Sequence, residues 1–202
     1  MILKKLKAIK KQIISRFDPL ERDFEKIYPQ ISTVPGFLKS PHQERWFFTT
    51  AKRAPQDAVI VEIGSFKGRS TVSFGYGCIG TEKHVYAIDL FEGDSQFYGS
   101  GDFQEMFSEN IKKCQLEKYV TAVKGDSRLI SKKWNMPIDI LFIDGSHEYE
   151  DVKADFYSFY PFVKKGGWIA LHDIKGMWPG VTRFWKEIQM QNFWQAEPTC
   201  WI

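Results

Sequence analysis

An open, mostly parallel α/β sheet, doubly wound with helices on both faces, is the fold class this 202-residue sequence predicts, and three observations carry it. Five short β-branched runs recur along the chain: AVIVEI (58–63), HVYAID (84–89), VTAVKG (120–125), IDILFID (138–144) and GWIALHD (167–173). Amphipathic stretches fill the intervals and no short hairpin turn joins two runs, so right-handed βαβ units are expected. Finally, Glu62, Gly64, Asp89, Asp126, Asp144, His172 and Asp173 all fall at the carboxyl ends of the runs. Sheets of this kind bind ligands along that edge, because loops converge there and helix N-termini point toward it.

Taken from the N-terminus, MILKKLKAIKKQIISR holds six Lys or Arg and no acid. Leu3, Leu6, Ile9, Ile13 and Phe17 repeat at spacings of three and four, one face of a basic amphipathic helix. That face could pack on its own domain, on a partner subunit in a homo-oligomer, or at a membrane surface. Residues 18–39 mix prolines with short apolar groups and read as a connecting arm. Ser40 as N-cap, Pro41 at the first helical position and Gln43 at the capping-box position predict a helix running to about Arg53. Residues 1–53 are therefore expected to form an N-terminal helical extension, and residues 54–202 the ligand-binding domain.

Composition excludes several classes. The body after residue 16 carries 22 basic against 25 acidic residues, whereas a nucleic-acid channel needs a basic stripe on the folded body. Cys78, Cys114 and Cys200 are odd in number, widely spaced and outside any CxxC pattern, so neither a disulfide framework nor a zinc site is encoded and a cytoplasmic location is expected. Lysines interrupt the first segment too often for a signal peptide, and no apolar run is long enough to span a bilayer. The aromatic share of 16% suggests aromatic-lined pockets as well as core.

The first strand opens into VEIGSFKGRST (61–71), an acid, a glycine turn and a helix start. Gly64 and Gly68 do not make the G-x-G-x-x-G fingerprint of dinucleotide sites, and no Gly-Lys-Ser/Thr follows as in a P-loop. An E-x-G-x-x-x-G turn better suits a ligand with a small carboxylate and ammonium head, such as S-adenosylmethionine, although such a turn also wants glycine for steric reasons alone. Asp89, about twenty-five residues beyond Gly64, stands where a side chain can accept hydrogen bonds from ribose hydroxyls. Asp126, in VKGDSR, could accept from an adenine amino group or serve as a helix N-cap.

With these blocks in place the chain resembles the class I S-adenosylmethionine-dependent methyltransferases, especially the sugar and natural-product O-methyltransferases related to catechol O-methyltransferase. The resemblance covers about residues 58–190 and rests on VEIGSFKGRST, VYAIDLF, VKGDS, LFIDGSHEYEDVKADF and KKGGWIALHD, in that order. It implies a Rossmann-like fold, with Glu62, Gly64, Ser65, Gly68 and Ser70 around the methionine part of the cofactor, Asp89 at the ribose and Asp126 at the adenine. It also implies a divalent metal, Mg2+ or Mn2+, held by Asp144, which belongs to the cofactor edge as well, and by His172 with Asp173. Metal-dependent relatives place carboxylate or amide oxygens at the last pair, so His172 favours a softer ion such as manganese, a site using Asp144 and Asp173 with waters, or none.

His147 lies three residues beyond Asp144, after the same strand. An acid to hold a metal and an imidazole to take a proton belong together where a hydroxyl must become a nucleophile, which makes His147 the candidate general base. The alternative is a histidine at the start of the helix near Glu148. LFEGDSQFYGSGDF (90–103) and KGMWPG (175–180) read as walls for the acceptor. The expected function is methyl transfer to a hydroxyl of a small molecule, a saccharide or glycosylated natural product. The rivals are an adenosyl-cofactor-binding module without catalysis and, less favoured for want of the third glycine, an NAD-dependent oxidoreductase.

Overall fold

The computed structural model describes residues 18–38, 41–92, 102–175 and 178–190. The expectations for the basic N-terminal helix, the Ser40 cap, the middle of the 90–103 loop, part of the 175–180 loop and the run that includes Cys200 lie outside those residues. The elements are α1 (Pro19–Thr33), α2 (Pro41–Arg53), β1 (Val59–Ile63), α3 (Arg69–Cys78), β2 (His84–Asp89), α4 (Phe103–Lys113) and β3 (Val120–Lys124). They continue as α5 (Ser127–Ser131), β4 (Ile138–Ile143), α6 (Tyr149–Phe159), a 3-10 turn at Tyr160–Phe162, β5 (Val163–Leu171) and α7 (Pro179–Met190).

The five strands pair in the order β3-β2-β1-β4-β5, parallel throughout. Alternation along each strand builds two cores. Ile60, Val85, Ala87, Ile140, Phe142 and Ala170 face one side, with Phe24, Phe47, Val72, Phe74 and Phe107 from α1 to α4. Val61, Ile63, Leu141, Ile143, Ile169 and Leu171 face the other, with Val152, Phe156, Val181 and Phe184 from α6 and α7. β4 is buried at every position, as expected of a central parallel strand covered on both faces.

One element departs from the sequence reading. The residues expected as a connecting arm form α1, with Pro19 at its start and the Asp18 side chain accepting from the Leu20 N–H at 3.0 Å. Pro29 sits inside this helix and removes one backbone bond. Burial of Phe24 and Ile31, with Leu20, Ile27 and Tyr28 packed beside them, offsets that loss. Helix α2 ends at Arg53 as expected, and its Phe47 ring packs against Phe74 and Phe142 at centroid distances of 4.8 and 4.7 Å. Strand β5 begins four residues earlier than its apolar run, across a register shift opposite Ile138 and Ile140.

Candidate active site

Strand order reverses between β1 and β4, and a cavity of about 670 Å³ opens at the carboxyl edge there. Gly64, Ser65, Ser70, Asp89, Asp126, Asp144, His147, His172 and Asp173 all line it. Glu62 lies fully buried at the end of β1, and Gly68 caps the start of α3.

The β1–α3 turn is shaped by its glycines. Gly64 has φ +85°, and a Cβ there would stand 2.1 Å from the Asp144 carbonyl oxygen. Its N–H donates to Ile88 O at 2.9 Å, so the turn is pinned between β2 and the loop after β4. Gly68 has φ +91°, and a Cβ would press on the Phe107 ring at 3.0 Å. Glu62 accepts from the Thr71 hydroxyl, while its Oε1 and Ser65 Oγ are buried without a hydrogen-bond partner. Burial pushes the Glu62 pKa up to about 7, against the lowering influence of the Ser70, Thr71 and Ser65 hydroxyls. Two orphaned polar atoms in so small a volume mark a place where a ligand's polar head would be welcome.

Asp89 closes the same turn from β2. Its Oδ2 accepts from the Ser65 and Phe66 N–H groups, both at 2.7 Å, and its Oδ1 from Phe91 N–H at 2.7 Å. Phe66 and Phe91 are both left-handed, at φ 48° and 53°, a conformation uncommon for bulky residues and one that costs about 1–3 kcal/mol each. Short charge-assisted bonds from one carboxylate hold both in place. Three of about four acceptor positions are thereby used, leaving one for a hydroxyl.

Asp126 is committed differently. It caps α5 through Arg128 N–H at 2.8 Å, and the Arg128 guanidinium donates to it at 2.9 Å from Nε and 2.7 Å from Nη2. Hydrogen bonding to Arg128 holds its carboxyl below the ordinary value. The capping alternative left open by the sequence describes this side chain's contacts.

Beyond β4 and β5 the acids meet imidazoles. His172 Nδ1 lies 3.0 Å from Asp144 Oδ1 and 3.3 Å from Asp173 Oδ2. Both contacts are ion pairs when the ring is protonated. Burial works against the His172 charge, yet the two carboxylates outweigh it and hold the pKa up at about 10. Burial raises Asp144, eased by His172. On the outer side His147 Nε2 stands 3.3 Å from Asp173 Oδ2, its ring stacked on Trp178 at 4.1 Å and 10°. Asp173 itself has φ 55°.

Among the described residues, one atom each from Asp144, His147 and Asp173 lie within 4.8 Å of one another, a group able to hold a metal ion. The sequence reading placed His172 in that set and His147 outside it. In the structure His172 backs both carboxylates from the buried side, and His147 completes the group from the cavity side. Two oxygens and one imidazole nitrogen suit manganese, and magnesium if waters supply the remaining oxygens.

Three features were not foreseen from the sequence. Gln43, read as a capping-box residue, reaches from α2 and brings its amide Nε2 to 2.9 Å from His172 Nε2. Phe103, from the 90–103 segment read as an acceptor wall, is joined by Phe37 and Phe66, which were not read so, with centroid spacings of 5.4 and 5.3 Å, and Lys67 Nζ lies over the Phe66 and Phe103 rings. Asp155, from α6, lines the cavity beneath Ser127. No local pattern signals these contacts, since each joins segments far apart in the chain.

A family model described as a methyltransferase domain matches residues 61–174. An O-methyltransferase from Bacillus cereus, solved in complex with SAH, is 20% identical with a TM-score of 0.60, covering 92% of this chain and 86% of that one. A TDP-rhamnose 3′-O-methyltransferase of calicheamicin biosynthesis is 16% identical with a TM-score of 0.52, covering 85% and 86%. Demethylmacrocin O-methyltransferase of Streptomyces fradiae is 26% identical over 148 residues, 70% of this chain and 33% of that protein. The chain spans between 15% and 33% of the length of the curated relatives it matches.

Proposed function

The chain belongs to the methyltransferase-domain family, and on that premise we propose that it is an S-adenosylmethionine-dependent O-methyltransferase acting on a hydroxyl of a small molecule, a saccharide or glycosylated natural product. The observation that carries the reading is the meeting, in one cavity, of the glycine turn closed by Asp89 with the Asp144, His147 and Asp173 group. The former fits an adenosyl amino acid, and the latter fits the activation of a hydroxyl.

On the cofactor side, Glu62 Oε1 and Ser65 Oγ offer acceptors to an ammonium head, and the remaining Asp89 position accepts from a ribose hydroxyl. On the acceptor side His147, steadied by Trp178 and Asp173, takes the proton of the acceptor hydroxyl as its oxygen bonds to the methyl carbon. The carbon–sulfur bond breaks in the same step, leaving S-adenosylhomocysteine (SAH). A divalent ion held by Asp144 and Asp173, with waters, would supply positive charge to the oxygen and would leave His147 Nε2 free to take the proton. His172 keeps the two carboxylates paired and oriented from below, with Gln43 fixing its ring. The aromatic wall of Phe37, Phe66 and Phe103 suits the apolar face of a sugar or a planar ring.

Calorimetry with SAH tests the premise: micromolar binding is expected, with no comparable binding of NADH. Tight NADH binding without adenosyl binding would overturn the reading in favour of a dehydrogenase.

A further inference from the structure

We infer that Asp155, held by Ser127, is the residue that selects the nucleobase in this cavity, accepting a hydrogen bond from the exocyclic amino group of adenine. The inference rests on the adenosyl-cofactor reading above and names a side chain that reading does not use.

Asp155 lies on α6 and is 7% exposed, yet it lines the cavity. Its Oδ1 accepts from the Ser127 hydroxyl. Among the described residues no donor reaches Oδ2. Because Asp155 lines the cavity, Oδ2 is left to accept from water or from a ligand placed there. The space in front of it is kept open by Gly145, where a Cβ would come within 3.3 Å of Asp155 Oδ2. Any larger residue after Asp144 would crowd that oxygen.

The expected reader, Asp126, is occupied. Both of its oxygens take bonds from the Arg128 guanidinium, and Oδ1 also caps α5. Transferring one of these to a base would give up a charge-assisted bond for a neutral one. Asp155 has no such commitment on Oδ2. Burial lifts its pKa to about 6, with the Ser127 hydroxyl and Arg128 pulling down and Asp151 and Asp126 pushing up. At neutral pH it is therefore mainly ionised and an acceptor only. An exocyclic amino group is a donor, whereas the carbonyl oxygen of hypoxanthine in the same place is an acceptor and would face the carboxylate unfavourably. Ser127 sits at the first position of α5 and ties the carboxylate to the loop after β3, so the reader is positioned by two elements at once.

The test compares SAH with its deaminated analogue, S-inosylhomocysteine, by calorimetry on the full chain. The wild-type protein should prefer SAH by about tenfold or more, the scale of one buried hydrogen bond gained against one acceptor clash. Asp155→Asn, which keeps the shape and the Ser127 bond but can present a donor, should reduce that ratio toward unity or invert it. Ser127→Ala, a milder change, should reduce it partially, and Asp126→Asn should leave it unchanged. Circular dichroism and melting curves establish that each variant is folded. A preference for SAH that survives in folded Asp155→Asn, or one that disappears in Asp126→Asn, overturns the assignment while leaving the adenosyl reading intact. Failure of the wild-type protein to bind either compound would overturn both.

Discussion

The two halves of the cavity use their carboxylates in opposite ways. On the proposed cofactor side Asp89 bonds to backbone N–H groups and Asp126 to a cap and a guanidinium. On the proposed acceptor side Asp144 and Asp173 face side-chain imidazoles and each other. Acids bonded to the main chain hold a shape, since their loss strands N–H donors and releases strained backbone. Acids facing imidazoles hold charge and protons that can be redistributed. Binding and chemistry should therefore respond to different substitutions.

The sharpest break is expected from the acceptor side. Once an acceptor is identified, removal of divalent ions by chelation, or Asp173→Ala, should abolish turnover while SAH affinity by calorimetry stays unchanged. Full activity in excess chelator would remove the metal from the mechanism. Next in size, His147→Ala should lower kcat by about 10²–10⁴-fold with cofactor affinity nearly unaltered. A folded variant with the parental rate and pH profile would reduce this histidine to a partner of Trp178.

Cofactor-side changes should do the reverse. Asp89→Ala strands the N–H groups of Ser65, Phe66 and Phe91 and removes the ribose acceptor, so SAH should bind about 10–100-fold more weakly and the melting temperature should fall. Unchanged affinity in a destabilised protein would make Asp89 purely structural. The smallest effect concerns Glu62, whose pKa of about 7 in the fold exceeds its ordinary 4.5. Between those values the folded chain keeps a proton that the unfolded chain has lost, so this group costs stability increasingly as pH rises from about 4.5 to about 7, and the cost is level above that. Glu62→Gln should match wild type near pH 4 and be more stable near pH 8, by on the order of 3 kcal/mol. Melting curves across that range check it, and saturating SAH, whose ammonium favours the carboxylate, should narrow the gap.

The strands and their order of use were legible because each apolar run is short, β-branched and bounded by a turn, and a parallel sheet places all their carboxyl ends on one edge. Asp144, His147 and Asp173 were legible as neighbours at that edge for the same reason. The division of labour between His147 and His172 was not, because residue spacing cannot say which ring faces the cavity and which the core. Helix α1 was obscured by Pro29, and its stripe of Leu20, Phe24, Ile27 and Ile31 becomes informative only when there is a core for it to cover. The Gln43 and Asp155 contacts span 129 and 28 positions, beyond the reach of any local pattern. Among the described residues no helix is long and apolar enough to cross a membrane.

The contact between Gly64 and the Asp144 carbonyl bears on how the domain can be re-engineered. At Gly64 main chain meets main chain, with no side chain on that residue to absorb a change in spacing. Grafting either segment from a relative would shift the other by whatever mismatch the graft brings. A chimera that alters acceptor choice should thus carry residues 61–70 and 138–148 as one cassette, and diversity libraries should be confined to the aromatic wall, where side chains rather than backbone set the fit.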